Sequence, residues 1–400
     1  MSWPISRLGE VISFIRGVTF TPEDQVEPFS EGSTVVMRTK NVQVAGLDQS
    51  DLIAVPSGFV RRKEQALREG DILVSSANSW ELVGKASYVP KLTYEATAGG
   101  FISIVRAKES RVDSRYLYHW VACPATQHKI RHCGRQTTNI SNLDVGRFQD
   151  LEIPLPPLPE QKRIAAILDK ADAIRRKRQQ AIQLADDFLR AVFLDMFGDP
   201  VTNPKGFPVG TIRDLVDTAN YGSSAKASET EGEFPMLRMG NITYSGAIDF
   251  SGLKYVDLSK KDQPKYLVEK GDLLFNRTNS KELVGKTAVY DRDDVAAIAG
   301  YLIRVRMNEK GNSYYVSGYL NSTHGKSTLQ SMCKSIVGMA NINAQEMQNI
   351  QILLPPIEIQ NKYAAIFQTT KQRLRSQSQS EGNLADLFSA ISQKAFRGEC

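Results

Sequence analysis

Three consecutive residues in the second half of the chain resemble part of a phosphate-binding loop. Gly285-Lys286-Thr287 matches the close of that motif, whose backbone N–H groups hold phosphates and whose lysine neutralises them. The motif also needs a glycine five positions before its second glycine, and Ser280 stands there. We therefore expect no nucleotide site.

A second group has the residue types that bind zinc. His128 and His132 lie one helical turn apart, and Cys123 and Cys133 lie nearby. The second half of the chain offers only one histidine and one cysteine in the corresponding region, and no C-x-x-C pair occurs. We interpret these residues as packing or surface positions and expect no metal.

Methyl transfer to adenine would need two further motifs. These are a glycine-rich turn for the cofactor and an Asn or Asp followed by two prolines and an aromatic residue. Neither motif occurs. The sequence predicts a chain that is not an enzyme and binds no cofactor.

The chain contains a long internal repeat. Residues 69–85, EGDILVSSANSWELVGK, return as residues 270–286, KGDLLFNRTNSKELVGK, which is a period of 201. Weaker matches keep the same order: Met37-Arg38 with Leu237-Arg238, Asn41 with Asn241, Ala98-Gly99 with Ala299-Gly300, Thr138-Asn139-Ile140 with Ala340-Asn341-Ile342, and Gln161 with Gln360. The chain therefore consists of two related halves.

Composition agrees with a folded protein of more than one domain. The 400 residues exceed the size at which single cores stop growing, and 41% hydrophobic with 24% charged residues is ordinary for globular proteins. The net charge of +6 suits a phosphate-binding surface without demonstrating one. No signal peptide opens the chain and no apolar run approaches ~18 residues. A soluble cytoplasmic protein is expected.

Each half is predicted to be a mainly β domain followed by a helical tail. Short β runs, such as 71–75, 86–89 and 101–105, are separated by Gly, Asn, Ser and Pro, with local helices near 115–122 and 313–321. After Pro159, apolar residues recur with helical spacing up to Gly198, and Glu160 suits the positive end of that helix. A second tail repeats the stripe over about 358–396, with a polar middle at 375–383 that includes Gly382.

Long apolar stripes must be covered. The tails either lie on their own domains or pair with each other, and their length favours pairing. The fold class is therefore α+β, with two mainly β domains, each followed by a long helix, and the two helices pairing as a coiled coil. The contact residues predicted for the coil are Ile164, Ile167, Leu168, Ile174, Phe188, Leu189, Val192, Tyr363, Ile366, Phe367, Leu387, Phe388 and Ile391.

These motifs resemble the specificity subunit of type I restriction-modification enzymes over essentially the whole chain. The resemblance is carried by Gly70-Asp-Ile-Leu, Gly271-Asp-Leu-Leu, the two Leu-Val-Gly-Lys segments, residues 155–164 (LPPLPEQKRI) and residues 393–398 (QKAFRG). The second half has a similar proline-rich segment at residues 355–360 (PPIEIQ). It departs from the first segment because Ile359 stands where the first has Glu160; Glu358 is the nearest acidic residue that could substitute.

The resemblance implies two target-recognition domains, 1–155 and 199–354, and two spacer helices, 156–198 and 355–400, which pair as an antiparallel coiled coil. It also implies double-stranded DNA, two modification (methyltransferase) subunits and restriction (ATP-dependent translocase and nuclease) subunits as partners, and no membrane. Two unlike readers on a rod suit a bipartite, asymmetric target. The alternatives are the specificity subunit of a type IIB system and a scaffold that binds proteins instead of DNA.

Loops that recur in both halves carry side chains suited to DNA. Amide and guanidinium groups read base edges, whereas cations and small donors contact phosphates. The residues predicted to bind DNA are Arg38, Lys40, Asn78, Ser79, Trp80, Lys85, Gln136, Thr138 and Asn139 in the first half and Arg238, Asn276, Arg277, Asn279, Lys286 and Asn341 in the second. Gly84, Gly285, Asn139 and Asn341 also suit turns, so a purely structural role for them stays open.

Overall fold

The computed structural model describes residues 3–136, 140–336, 339–380, 394 and 396. The chain forms two compact units. Unit 1 comprises residues 1–180 and 381–400, and unit 2 comprises residues 181–380. No helix in the described ranges has the length and apolar character needed to cross a membrane.

Unit 1 contains the first fourteen strands. In chain order they are β1 Ile5–Arg7, β2 Ile12–Arg16, β3 Ser33–Met37, β4 Val42–Gln43, β5 Gly46–Leu47, β6 Ile53–Pro56, β7 Ile72–Ser75, β8 Ala77–Asn78, β9 Ala86–Tyr88, β10 Ala96–Ala98, β11 Ile102–Ala107, β12 Gly134–Gln136, β13 Ser141–Leu143 and β14 Glu152–Pro154. The helices are α1 Leu8–Val11, α2 Ser114–Ala122, α3 Pro124–His132, α4 Val145–Gln149 and α5 Leu158–Phe197, of which α5 continues into unit 2.

Unit 2 contains the remaining elements. Its strands are β15 Val209–Thr211, β16 Val216–Tyr221, β17 Phe234–Leu237, β18 Lys254–Val256, β19 Leu267–Val268, β20 Leu273–Asn276, β21 Thr278–Asn279, β22 Thr287–Val289, β23 Ala296–Ile298, β24 Leu302–Met307, β25 Lys334–Ile336, β26 Met339–Asn341 and β27 Gln351–Leu353. Its helices are α6 Gln263–Tyr266, α7 Ser313–Asn321, α8 Thr323–Met332, α9 Ala344–Gln348 and α10 Ile357–Ser380.

The sheets of the two units correspond. The four-stranded sheet β2-β11-β7-β9 matches β16-β24-β20-β22, and the three-stranded sheet β12-β13-β8 matches β25-β26-β21. In each unit one parallel strand pair, β3 with β10 or β17 with β23, packs beside them. The predicted duplication and the α+β class are confirmed, as are the local helices α2 and α7 and the 40-residue helix α5.

The hydrogen bonds correct two of the sequence alignments. Val18 N bonds Ala98 O, whereas Ser223 N bonds Ile298 O, so Gly99 rather than Ala98 matches Ala299. Similarly, Leu143 N bonds Ser76 O and Ile342 N bonds Arg277 O. The alignment that paired Thr138-Asn139-Ile140 with residues 340–342 is therefore wrong by three positions.

The repeated Gly-Asp motif has a structural role. Gly70 and Gly271 have φ of +94° and +99°, the left-handed region that favours glycine. The buried Asp71 carboxylate accepts two hydrogen bonds of 2.7 Å from Arg106, and Asp272 is paired in the same way with Arg306. In each copy the motif therefore joins a turn to the central sheet.

A repeated glutamine attaches each long helix to the domain before it. The Gln161 carbonyl oxygen accepts from Asp113 N at 2.8 Å, and its amide donates to Pro156 O at 2.8 Å and Arg111 O at 3.3 Å. Gln360 bonds Asn312 N and the carbonyls of Pro355 and Lys310 in the same arrangement. Both side chains are buried. Because the helix start is fixed to the domain, the domain controls its direction.

We expect Gln161→Ala to destabilise unit 1 by about 3 kcal/mol, because the buried Pro156 carbonyl and the partly buried Asp113 N–H and Arg111 carbonyl lose their partner. Thermal unfolding followed by circular dichroism measures the effect. Gln179→Ala, an exposed glutamine of the same helix, is the matched control and should change little. Equal melting temperatures for the two variants would contradict this role for Gln161.

The ends of α5 pack in different cores. Ile164 and Leu168 lie in the unit 1 core beside Leu117, whereas Phe193 and Phe197 lie in the unit 2 core. The start of α5 therefore covers its own domain.

In unit 2 the end of α5 contacts α10. The Phe193 and Tyr363 rings are 5.4 Å apart, and the Lys371 ammonium lies 2.7 Å from the Asp186 carboxylate. Of the other predicted coil residues, Ile174 and Phe188 are exposed; Leu387, Phe388 and Ile391 lie outside the described residues. A coiled coil along the whole tails stays a prediction.

Phe396 gives one contact for the end of the second tail. Its ring lies 5.4 Å from that of Tyr116 in unit 1. In unit 2 the Phe197 ring lies 4.5 Å from that of Tyr315. Phe396 and Phe197 therefore contact corresponding tyrosines, Tyr116 of α2 and Tyr315 of α7.

Candidate nucleic-acid interface

The small three-stranded sheet of unit 1 brings two of the predicted DNA-binding loops together. β8 carries Asn78, and its neighbour β13 is paired on the other side with β12, which carries Arg135. Asn78 lies opposite Ser141, and Arg135 lies opposite Asn142. The segment around 75–80 and the strand pair β12–β13 therefore belong to one sheet.

Unit 2 builds the same sheet from its own residues. Asn279 on β21 lies opposite Ala340, and Thr278 lies opposite Asn341. Asn341 lies between Thr278 and Lys334 of β25. The structure thus joins the segment around 276–280 to the strand pair β25–β26.

Asn142 is a residue that the sequence interpretation missed. It is the counterpart of Asn341, and both are exposed in the central strand of their sheets. The signal was the spacing of 199 that already relates Gln161 to Gln360, since the same spacing relates Asn142 to Asn341. Of the residues named instead, Thr138 and Asn139 lie outside the described part of the chain, and Gln136 is described by its backbone in β12.

The turns after β3 and β17 differ in charge. In unit 1 Asp51 forms ion pairs with both Arg38, at 3.0 Å, and Lys40. In unit 2 the Arg238 guanidinium donates to Gly252 O at 3.2 Å and has no ion pair with a described residue. The unit 2 turn therefore offers a cation that no carboxylate in the described ranges neutralises.

Lys85 and Lys286 hold these turns against the central sheet. The Lys85 ammonium donates to Gln43 Oε1 at 3.2 Å, and that of Lys286 donates to Met239 O at 3.0 Å. Burial lowers the pKa of both lysines. A phosphate contact by either lysine would have to form alongside these bonds.

The repeated Asn-Ser pairs are bonded locally. Asn78 Oδ1 accepts from Ser79 N at 2.9 Å, and Asn279 Oδ1 accepts from Ser280 N at 2.9 Å. The side-chain amide of Asn78 also donates to Ser75 Oγ at 3.2 Å. These bonds orient the asparagine side chains from within their own loops.

Asn276 combines burial with an unused acceptor. Its side chain is fully buried, and its Oδ1 has no hydrogen-bond partner among the described residues. The next residue, Arg277, places its guanidinium 4.8 Å from the Tyr221 ring centroid. An unpaired buried acceptor is energetically costly, and because the Asn276 side chain is enclosed by the protein it is not presented to a bound molecule in this conformation.

Trp80 and the histidines of α3 pack together. The rings of Trp80 and His132 are 5.3 Å apart, and those of His128 and His132 are 4.4 Å apart. Within the described ranges, no three His, Cys, Asp or Glu side chains come close enough together to hold a metal ion. The two histidines pack by ring contact beside the candidate surface.

Comparison with known proteins gives consistent matches. The family model described as "Type I restriction modification DNA specificity domain" matches residues 2–184 and 204–381. The chain is 25% identical over 416 aligned positions to the type I restriction enzyme EcoKI specificity subunit of Escherichia coli K12, covering 99% of this chain and 89% of that one. It is also 25% identical, with the same coverages, to the StySPI specificity subunit of Salmonella potsdam.

A solved structure has the same fold. The crystal structure of the type I restriction-modification S subunit from M. genitalium superposes with a TM-score of 0.64 at 15% identity, covering 99% of this chain and 96% of that one. At that identity the likeness establishes the fold alone.

Proposed function

The chain belongs to the type I restriction modification DNA specificity family, and on that premise we propose that it reads a bipartite, asymmetric DNA sequence for a methyltransferase and nuclease complex. It is the recognition subunit, and the modification and restriction subunits supply the chemistry. The proposal includes domains at 1–155 and 199–354, spacer helices at 156–198 and 355–400, and a cytoplasmic location.

The duplicated three-stranded sheet carries this proposal. Each copy presents an exposed asparagine, Asn142 or Asn341, next to a strand that carries a second asparagine. Amide side chains can form paired hydrogen bonds with adenine. Two copies whose surrounding residues differ support two half-sites of different sequence.

Adding modification subunits and S-adenosylmethionine tests the function. We expect the isolated chain to transfer no methyl groups and the assembled complex to methylate one bipartite sequence. Methylation mapping of host DNA, with and without the gene, identifies that sequence. Binding should weaken roughly 10³-fold or more between 50 and 200 mM salt if six or more phosphates are contacted.

Two results would contradict the proposal. Methyl transfer by the isolated chain would show that the chain is itself an enzyme. DNA binding that is absent, or that is insensitive to salt, would favour a protein-binding scaffold.

A further inference from the structure

Both units expose one aromatic side chain at the same edge of the central sheet. Phe101 is 65% exposed and Tyr301 is 50% exposed, although large aromatic residues usually contribute to the core. Each residue directly precedes the strand that occupies the second position in its four-stranded sheet, β11 in unit 1 and β24 in unit 2.

Hydrogen bonds show that the two positions are equivalent. Ser76 N donates to Phe101 O at 2.9 Å, and Arg277 N donates to Tyr301 O at 3.0 Å. Ser76 and Arg277 also accept, through their own carbonyls, from Leu143 and Ile342 of the three-stranded sheets. The backbone of each exposed aromatic residue is therefore tied to the strand segment that carries the predicted base-reading asparagine.

An arginine lies close to each aromatic residue along the paired backbone, but at a different position in each unit: Arg16 is opposite Ser103, two residues after Phe101, and Arg277 N bonds Tyr301 O. Gly17 N bonds Ile102 O and Gly222 N bonds Leu302 O, which makes Arg16 the counterpart of Tyr221. In unit 1 the arginine is Arg16 at the end of β2; in unit 2 it is Arg277, which lies over Tyr221. Neither arginine forms an ion pair with any residue in the described ranges, and Arg277 Nε is buried there without a hydrogen-bond partner.

An exposed ring on a backbone segment next to an arginine that has no ion pair in the described ranges suits a partner that is both apolar and negatively charged. Nucleic acid has this combination, because flat bases are joined to phosphates. Aromatic side chains contact bases by stacking, by insertion between base steps, or through the thymine methyl group.

We propose that Phe101 and Tyr301 contact bases directly, Phe101 in the half-site read by the first domain and Tyr301 in the half-site read by the second. This inference rests on the proposed function. It assigns base contact to two residues outside the polar set predicted from the repeated loops, and it confines each contact to one half-site.

The test uses the complex of this chain with modification subunits and measures its affinity for three DNA duplexes. The first carries the target sequence that methylation mapping identifies. The other two carry the same sequence with either the first or the second half-site scrambled. We expect Phe101→Ala to weaken binding to the intact target roughly 5- to 100-fold. It should change binding little when the first half-site is already scrambled, because the contact is then absent. Tyr301→Ala should show the same dependence on the second half-site.

Matched variants separate base contact from a loss of stability. Phe29→Ala removes an equally exposed ring, 64% exposed, that contacts Tyr94; it should bind like the wild type. Phe101→Tyr keeps the ring and should retain most of the affinity. All variants should melt at the wild-type temperature.

The outcomes distinguish this inference from the proposed function. If the wild-type complex bound intact and scrambled duplexes equally, the proposed function would fail. If the wild type discriminated between them but Phe101→Ala and Tyr301→Ala matched Phe29→Ala, only the base contacts would be ruled out. An equal loss for Phe101→Ala on all three duplexes, or an equal loss in Phe101→Tyr, would also overturn the inference.

Discussion

Replacing residues 1–153 with the first domain of another family member is expected to change one half of the methylated sequence and leave the other half unchanged. Each unit has its own sheets, its own core and its own exposed asparagine in the three-stranded sheet. The Gln161 bonds reach the exchanged segment mainly through backbone atoms, at Asp113 N and Arg111 O. A foreign domain that keeps this backbone geometry can therefore still attach to the helix.

Methylation mapping of cells that carry the exchanged chain and the original modification subunits measures the outcome. The reciprocal exchange of residues 199–354 is the matched experiment and should alter the other half of the sequence. A change in both halves from either exchange would show that the domains do not read independently.

Insertions into α5 are expected to have effects that depend on their length. Four residues near Gln179 add about 6 Å and turn the remainder of the helix by roughly 400°, which is within about 40° of its original facing. The spacer between the half-sites should then lengthen by about one or two base pairs. Two residues add about 3 Å but turn the remainder of the helix by roughly 200°, so specific methylation should be lost.

The two insertion variants control for each other, because both interrupt the same exposed stretch of helix. Circular dichroism should show equal helix content, and methylation mapping gives the spacer. An unchanged spacer in the four-residue variant would mean that α5 does not set the distance. Full activity in the two-residue variant would mean that the helix does not transmit rotation.

The sequence predicted the parts of the fold that depend on local pattern or on repetition. The apolar stripe after Pro159 indicated α5, and the repeated segment at 69–85 indicated the duplication, because helix periodicity and self-similarity are visible without knowledge of strand pairing. The glycines at 84 and 285 were correctly given a possible turn role, since both have positive φ.

Other features depended on contacts between distant residues. Equivalent residues of the two copies are 201 positions apart at Lys85 and 199 positions apart at Asn142. Only the strand registers show where the second copy has fewer residues than the first. Asp51 neutralises Arg38 and Lys40 from a separate segment, which no local pattern indicates. Solvent exposure, which distinguishes Phe101 and Tyr301 from core residues, is likewise a property of the folded chain.

The position of Gly318 limits how such a gene can evolve by recombination with itself. An added Cβ at Gly318 would lie 2.8 Å from the Phe193 ring and 2.9 Å from the Tyr363 hydroxyl. The corresponding residue of α2 is His119, whose imidazole bonds Asp169 at 2.7 Å. A copy of the first domain transferred to the second position would bring a histidine against Phe193 and leave its carboxylate behind. Transfer of a first-domain copy to the second position is therefore disfavoured at this helix, which opposes that route by which a duplicated chain could become symmetric.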